Sequence, residues 1–364
     1  MAITTSVTIT APVNNVFQET LLRNAKANCP YFAGSTPAEI QEHQGTFTAR
    51  WRRIENLTPV TVALAELTGS VTFPTRQEVQ PSVTDITATV QKFGNFIYLN
   101  EEVDLVNFTG QADKLMEILG INAGQSLNRL QRNVLEGSLT AILGGSATTA
   151  TGLSGAPTAS GFIKRTDIAN LNNILNRGVA MRFTPETEGS TNISTTAIRA
   201  SFLGFCHSDV EEDLRTLTGF NSVEFYAGQI ATYDNEIGHV GGVRFITTPE
   251  ASINVTTGVA ATGSATTNGR STATRYDVYN TPMIGRDAIG SVGFGFEHIK
   301  ETYDAGDTLP GVQVISKDRG SAGAADPLSE LGSIGWKSWY AGTVLNSNWG
   351  RTLRHSSSIV KSAE

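Results

Sequence analysis

Cysteine, charge and long apolar runs are all scarce in this chain of 364 residues, and each shortage removes a class of protein. Its two cysteines, Cys29 and Cys206, make neither a C-x-x-C pair nor a disulfide framework, so both are expected to stay reduced, with a reducing cytoplasm as the default compartment. Charged residues reach 17% with a net charge of -7, which leaves no global basic field to grip the phosphates of nucleic acid. No run of ~18 apolar residues offers a membrane-crossing helix. Residues 1–15 lack the basic stretch and apolar core of a signal peptide.

Motifs that carry chemistry are missing too. There is no G-x-x-x-x-G-K-[ST], and the glycines at Gly241, Gly242, Gly293 and Gly295 lack the spacing of a dinucleotide fingerprint. The five histidines, His43, His207, His239, His298 and His355, form no H-x-x-x-H or Cys/His cluster, so no metal site is expected. His207, Ser208 and Asp209 adjoin, but a nucleophilic triad is a spatial arrangement and not a tripeptide. Ser208 is read as a helix cap, with Glu211 completing a capping box. Asp304 and Asp307 around Gly306 read as an Asp/Gly turn, with too few oxygens for a calcium loop. No enzyme, cofactor or metal function is therefore expected.

What the chain does contain is Thr, Gly, Ser and Asn, a surplus that suits strands and loops. Val16, Phe17, Leu21 and Leu22 share a helical face after Asn14 and Asn15, which predicts an arm ending in a short helix. Thr36, Pro37 and Glu39 predict a second short helix to about His43. From Gly45 the period becomes two, with Phe47, Ala49, Trp51 and Arg53 on one parity. A returning strand is predicted over 84–99, with Ile86, Ala88, Val90, Phe96 and Tyr98 together. Between them lies a long tip punctuated by Pro59, Gly69, Pro74 and Pro81. Such a two-stranded arm is marginal in water and calls for a neighbouring chain to cover it.

The strongest helical signal runs over 111–143, through Leu115, Ile118, Leu119, Leu127, Leu130, Val134 and Ile142. Gly120, Gly124 and Gly137 lie within it and predict a bend or a close approach. A Ser/Ala/Thr/Gly stretch to Gly161 then links to a mixed region. That region is predicted to hold a helix over 167–177, a short helix over 208–217, and buried strands at 202–206 and 243–248, with a surface insertion at 251–275. Residues 311–355 return to strand patterning around Trp336, Trp339, Tyr340 and Trp349. One charged feature stands out: Arg50, Arg52 and Arg53 flank Trp51. Nucleic-acid binding is the alternative for this cluster, but in an acidic chain the three charges are expected to meet carboxylates across a subunit interface, so the interface candidates are Arg50, Trp51, Arg52, Arg53 and Glu66 on the tip.

Six segments together resemble the major capsid proteins of tailed bacteriophages with the Hong Kong 97-type fold, and more narrowly the family of the coliphage N-four major capsid protein. They are ARWRRIENL (49–57), TDITATVQKFG (84–94), LGINAGQSLNRLQRNVL (119–135), HSDVEEDLR (207–215), NEIGHVGGVRFITTPEA (235–251) and DPLSELGSIGWKSWYAGTVLN (326–346). The resemblance implies an α+β fold: an N-terminal arm (1–44), an extended β-hairpin loop (45–99), a peripheral domain with a spine helix (100–160), an axial domain (161–309), and C-terminal strands returning to the peripheral domain (310–364). It implies hexamers and pentamers that close an icosahedral shell around genomic DNA, without sequence-specific binding, in the host bacterial cytoplasm. A portal protein and decoration proteins are the partners it brings; no membrane is expected. With so few residues ahead of the arm, a separately encoded scaffolding protein is expected as well. The rival reading from another class is a β-rich secreted or tail-associated adhesin.

Overall fold

The computed structural model describes residues 29–41, 46–55, 57, 59, 61, 81–102, 111–154, 161–183, 200–225, 233–255, 257–259, 271–272, 275–295, 311–317, 328 and 330–358. In the first part of the chain, β1 (Thr36–Gln41), β2 (Thr48–Ile54), β3 (Val83–Thr89) and β4 (Gln91–Asn100) precede the long helix α1 (Gln111–Ser138). The middle runs β5 (Ala141–Leu143), α2 (Arg165–Arg177), β6 (Phe202–His207), α3 (Glu211–Arg215), β7 (Asn221–Ser222), β8 (Glu236–Val240), β9 (Val243–Thr248) and β10 (Ile253–Asn254). The last part holds β11 (Ser271–Thr272), β12 (Arg275–Tyr276), β13 (Val278–Ile284), β14 (Ile289–Gly295), β15 (Val312–Lys317), β16 (Leu331–Val344) and β17 (Gly350–His355).

Two large sheets hold most of these strands, while β2 with β3 and β11 with β12 form two-stranded ribbons of their own. In the first, β1, β14, β16 and β15 follow one another, and β4 also pairs with β16. The 14 residues of β16 make this possible, since Leu331–Tyr340 pairs with β4 and Tyr340–Val344 with β14. The second sheet has the order β5-β17-β13-β6-β9-β8-β7, with β10 added to β13. Its central strands β6 and β13 are buried at every residue, as strands covered on both faces must be.

Helix α1 reaches both cores. Met116, Leu119, Ala123 and Leu127 pack against Ile334, Trp336 and Tyr340 of the first sheet, while Leu135 and Leu139 pack against Leu203, Phe205, Ile246 and Ile284 of the second. Full burial of each such side chain contributes ~1.5–3 kcal/mol, so one helix ties the two sheets together. The close approach expected at its glycines occurs at Gly124, whose carbonyl accepts the Cys29 thiol at 3.3 Å. Gly137 meets nothing within 4 Å. On the other face of the second sheet, α2 buries Ile168, Leu171 and Leu175.

Several expectations are corrected. Residues 36–41 form an edge strand and not a helix: β1 runs parallel to β14, Ile40 is buried beside Val90 and Val292, and Pro37 is tolerated because the strand lies at the sheet edge. Thr36, read as a cap, instead donates to Asp287 Oδ1 at 2.9 Å. The strand over 84–99 breaks at Val90, which is buried and whose N–H makes the last bond across the hairpin, to Phe47 O; β4 then joins β16. The helix predicted to residue 143 stops at Ser138, because residues 141–143 pair in parallel with β17. Ser208 is not the cap of its helix: His207 Nδ1 accepts from Asp209 N at 3.0 Å and opens a single 3-10 turn before α3. The last strand, β17, lies in the second sheet, so residues 310–364 are divided between the sheets and do not all return to the one against which α1 begins. The arm helix read at Val16–Leu22 lies outside the described residues.

Candidate assembly surface

The hairpin of β2 and β3 pairs in register from Thr48 opposite Thr89 to Ile54 opposite Val83, and its alternation follows the period read from the sequence. Ala49 and Trp51 face inward with Ala88 and Val90, over Val292 and Ala341 on the outer face of the first sheet. Gly290 makes room for Trp51: a Cβ there would stand 2.8 Å from the indole Cζ2. Phe47 adds a stacked contact with Trp339 at 5.7 Å, and Lys92 lies over the same indole at 5.9 Å. Trp51, one of the interface candidates, is thus the pin that holds the hairpin to its own subunit.

The arginines have partners within the chain. Arg50 and Arg52 both reach Asp85 on β3, Arg52 Nε at 3.0 Å. The hydrogen bond from Arg52 holds the Asp85 carboxyl below its usual range, so the pairing persists across ordinary pH. Arg53 pairs with Glu55 and donates to Leu345 O at 2.8 Å, which fastens the end of β2 to the end of β16. Arg50 and Arg52 remain 60% and 63% exposed. Glu66 lies outside the described residues. Asp85 and Glu55 were missed by the sequence reading, although each stands on the strand pair that carries the arginines and sets a negative charge beside them.

Beyond the ion pairs the hairpin is apolar and open. Ile54 and Val83, opposite one another, are 66% and 48% exposed, and Leu57 follows at 54%. A second uncovered patch lies on β4, where Phe96 and Tyr98 are 59% and 64% exposed and touch edge to face at 5.1 Å. The sequence parity placed these two rings with the hairpin's buried residues. Phe93, Ile97 and Leu99, on the opposite parity, are the ones that pack toward α1.

Among the described residues, no reacting arrangement competes with this surface. His207, Asp209, Tyr279 and His355 do converge: the Tyr279 hydroxyl donates to Asp209 Oδ2 at 3.0 Å, and Tyr279 lies 5.6 Å from the His207 ring and 6.2 Å from that of His355. All four are buried, and His355 is closed off by Thr281 at 2.8 Å and by Ser356 O at 3.1 Å. Burial pushes the His355 pKa down and keeps the ring neutral. The group is a hydrogen-bonded core that ties residues 355–358 to α3, where Ser358 N donates to Asp213 at 3.0 Å.

Residues 83–348 match the family model described as phage capsid protein. The chain belongs to that family. This phage capsid protein shares its fold with the capsid of Ralstonia phage GP4 at 9% identity, with 92% of this chain and 93% of that chain covered and a TM-score of 0.59. Cyanophage Pam1 capsid is similar at 12% identity, 93% coverage of both chains and a TM-score of 0.52. The head of Helicobacter pylori bacteriophage KHP40 matches at 11% identity, 91% of both chains and a TM-score of 0.51. At such identities the likeness is one of fold, the Hong Kong 97-type. No curated protein matches the chain. Family membership replaces the adhesin reading: this is a structural, non-enzymatic protein of the virion capsid.

Proposed function

We propose that this capsid protein associates with copies of itself as hexamers and pentamers and closes an icosahedral shell around double-stranded phage DNA. The observation that carries the reading is the β2–β3 hairpin, pinned on its inward face by Trp51 and Arg53 and leaving Ile54, Val83 and the following Leu57 uncovered, within a chain that belongs to a capsid family. A second subunit supplies the cover those residues lack. The division into arm (1–44), extended loop (45–99), peripheral region (100–160), axial region (161–309) and returning strands (310–364) belongs to this proposal, with β17 assigned to the axial sheet. So do the narrower kinship with the coliphage N-four family, assembly in the host cytoplasm, and a portal, decoration proteins and a separately encoded scaffolding protein as partners. Similar contacts must serve both five-fold and six-fold rings, and an external template biases their ratio. A net charge of -7 suits a wall along which DNA must move.

Replacing Ile54 and Val83 together by Asp tests the hairpin's role. Both side chains are exposed, so the subunit is expected to fold with unchanged circular dichroism and to fail to form shells under electron microscopy. Normal shells from that variant would refute the role. Arg50→Ala with Arg52→Ala is expected to leave the subunit's melting unaltered and to lower the melting temperature of the assembled shell. Equal shell stability would remove both arginines from the interface.

A further inference from the structure

The C-terminal half of α1 meets the second sheet through polar groups as well as through Leu135 and Leu139. Arg129 pairs with Glu250, and Arg132 donates to Glu250 O at 2.5 Å. About one turn further on, Ser252 Oγ donates to Glu136 Oε2 and accepts from Asn280 Nδ2 at 2.8 Å, while the same amide nitrogen lies 3.4 Å from Oε2. This triangle joins α1, the turn after β9 and strand β13.

Two of its atoms are left over. Glu136 Oε1 and Asn280 Oδ1 are buried without a hydrogen-bond partner. Both are acceptors for as long as Glu136 is a carboxylate, so neither can satisfy the other. One proton on Oε1 resolves both at once. A carboxylic acid beside a primary amide forms two antiparallel hydrogen bonds, N–H to Oε2 and O–H to Oδ1. We propose that Glu136 is held as the neutral carboxylic acid, paired in this way with Asn280, and that the pair is a proton-dependent latch fastening α1 to the second sheet.

The charged and titratable groups around the pair pull in both directions. Arg132 and Arg129 stand on the same helix, Glu250 on the turn after β9, and Tyr31 on the 3-10 turn before β1; Arg354 of β17 is in register with Asn280. Burial moves the titration of Glu136 upward, against the opposing pull of the Ser252 hydrogen bond and of Arg132. An acid whose folded pKa is raised takes up a proton on folding. The latch is therefore fastened on the acid side and loosens as pH rises through the titration point, by up to about tenfold per pH unit.

Infrared difference spectroscopy of the full chain against Glu136→Gln tests the protonation state. Across a titration carried above the ordinary glutamate range, the wild type is expected to keep a carboxylic-acid carbonyl band that the variant lacks. A carboxylate band alone would overturn the proposal, and would point to a buried water donating to both acceptors. The latch itself is read from hydrogen exchange in residues 249–254, corrected for the intrinsic rate. Wild-type opening is expected to rise with pH, and Glu136→Gln, whose amide makes both bonds at any pH, to stay flat. The wild-type profile stands even if the variant fails to fold: opening that does not change with pH overturns the latch.

Discussion

Tyr279 donates its hydroxyl to Asp209 at 3.0 Å inside the second sheet, where both residues are buried. Tyr279→Phe removes a donor from a buried carboxylate, and a loss of about 1–3 kcal/mol is expected in chemical denaturation. The neighbouring His355 gives the same region an acid sensitivity. Its pKa is pushed below the ordinary 6.5 by burial, so the neutral ring belongs to the folded state and the unfolded chain binds the proton first. Stability is present above that ordinary value and is lost as pH falls through it toward the lower folded value. Denaturation followed from neutral to mildly acid pH is expected to reveal that loss, and to reveal less of it in His355→Gln. Cys29 and Cys206 are buried, with the Cys29 pKa pushed up to about 12 by burial, so neither thiolate is available in the native subunit. Alkylation is expected to be slow before denaturation and complete after it, and non-reducing electrophoresis of particles is expected to give monomer alone.

At the scale of elements, the long helix offers a clean test of local propensity. Gly137 is exposed near the end of α1, with nothing within 4 Å of where a Cβ would stand. Gly137→Ala is expected to stabilise the subunit by about 0.5–1 kcal/mol in denaturant titration, and a loss of stability would indicate an unseen contact. Gly290→Ala is expected to do the opposite to the hairpin, because its Cβ would press on Trp51 and lift β2 from the sheet. Faster hydrogen exchange in β2 and β3, with β13 unchanged, is the outcome that supports the contact. Elements with a full period were legible in the sequence: α1, α2, β2, β6 and β9 lie where their patterns place them. Those settled by a distant partner were not. β1 carries a capping-box pattern, yet is a strand because β14 offers a parallel edge, and the end of α1 is set by the pairing of β5 with β17. Of the interface candidates, the arginines were expected to meet carboxylates across a subunit interface, and the carboxylates beside them are Asp85 and Glu55 of their own chain. The choice of Asp85 depends on a strand register that the residues on β2 alone do not reveal, whereas Glu55 stands two residues after Arg53 and was legible in the sequence.

For the whole molecule, the two sheets joined by α1 form a subunit whose open apolar surface includes the hairpin and β4, besides single exposed side chains such as Phe225 and Val179. A chain arranged in this way folds by itself and completes its burial on assembly, which is the central claim. Electron microscopy of the full chain, expressed with the proposed scaffolding protein and reconstructed with icosahedral averaging, tests it most directly. The expected result is a closed shell of hexamers and pentamers in which Ile54, Val83 and Leu57 of each subunit are covered by a neighbouring copy. Discrete particles that do not close, or a shell in which that hairpin end faces solvent, would contradict the account.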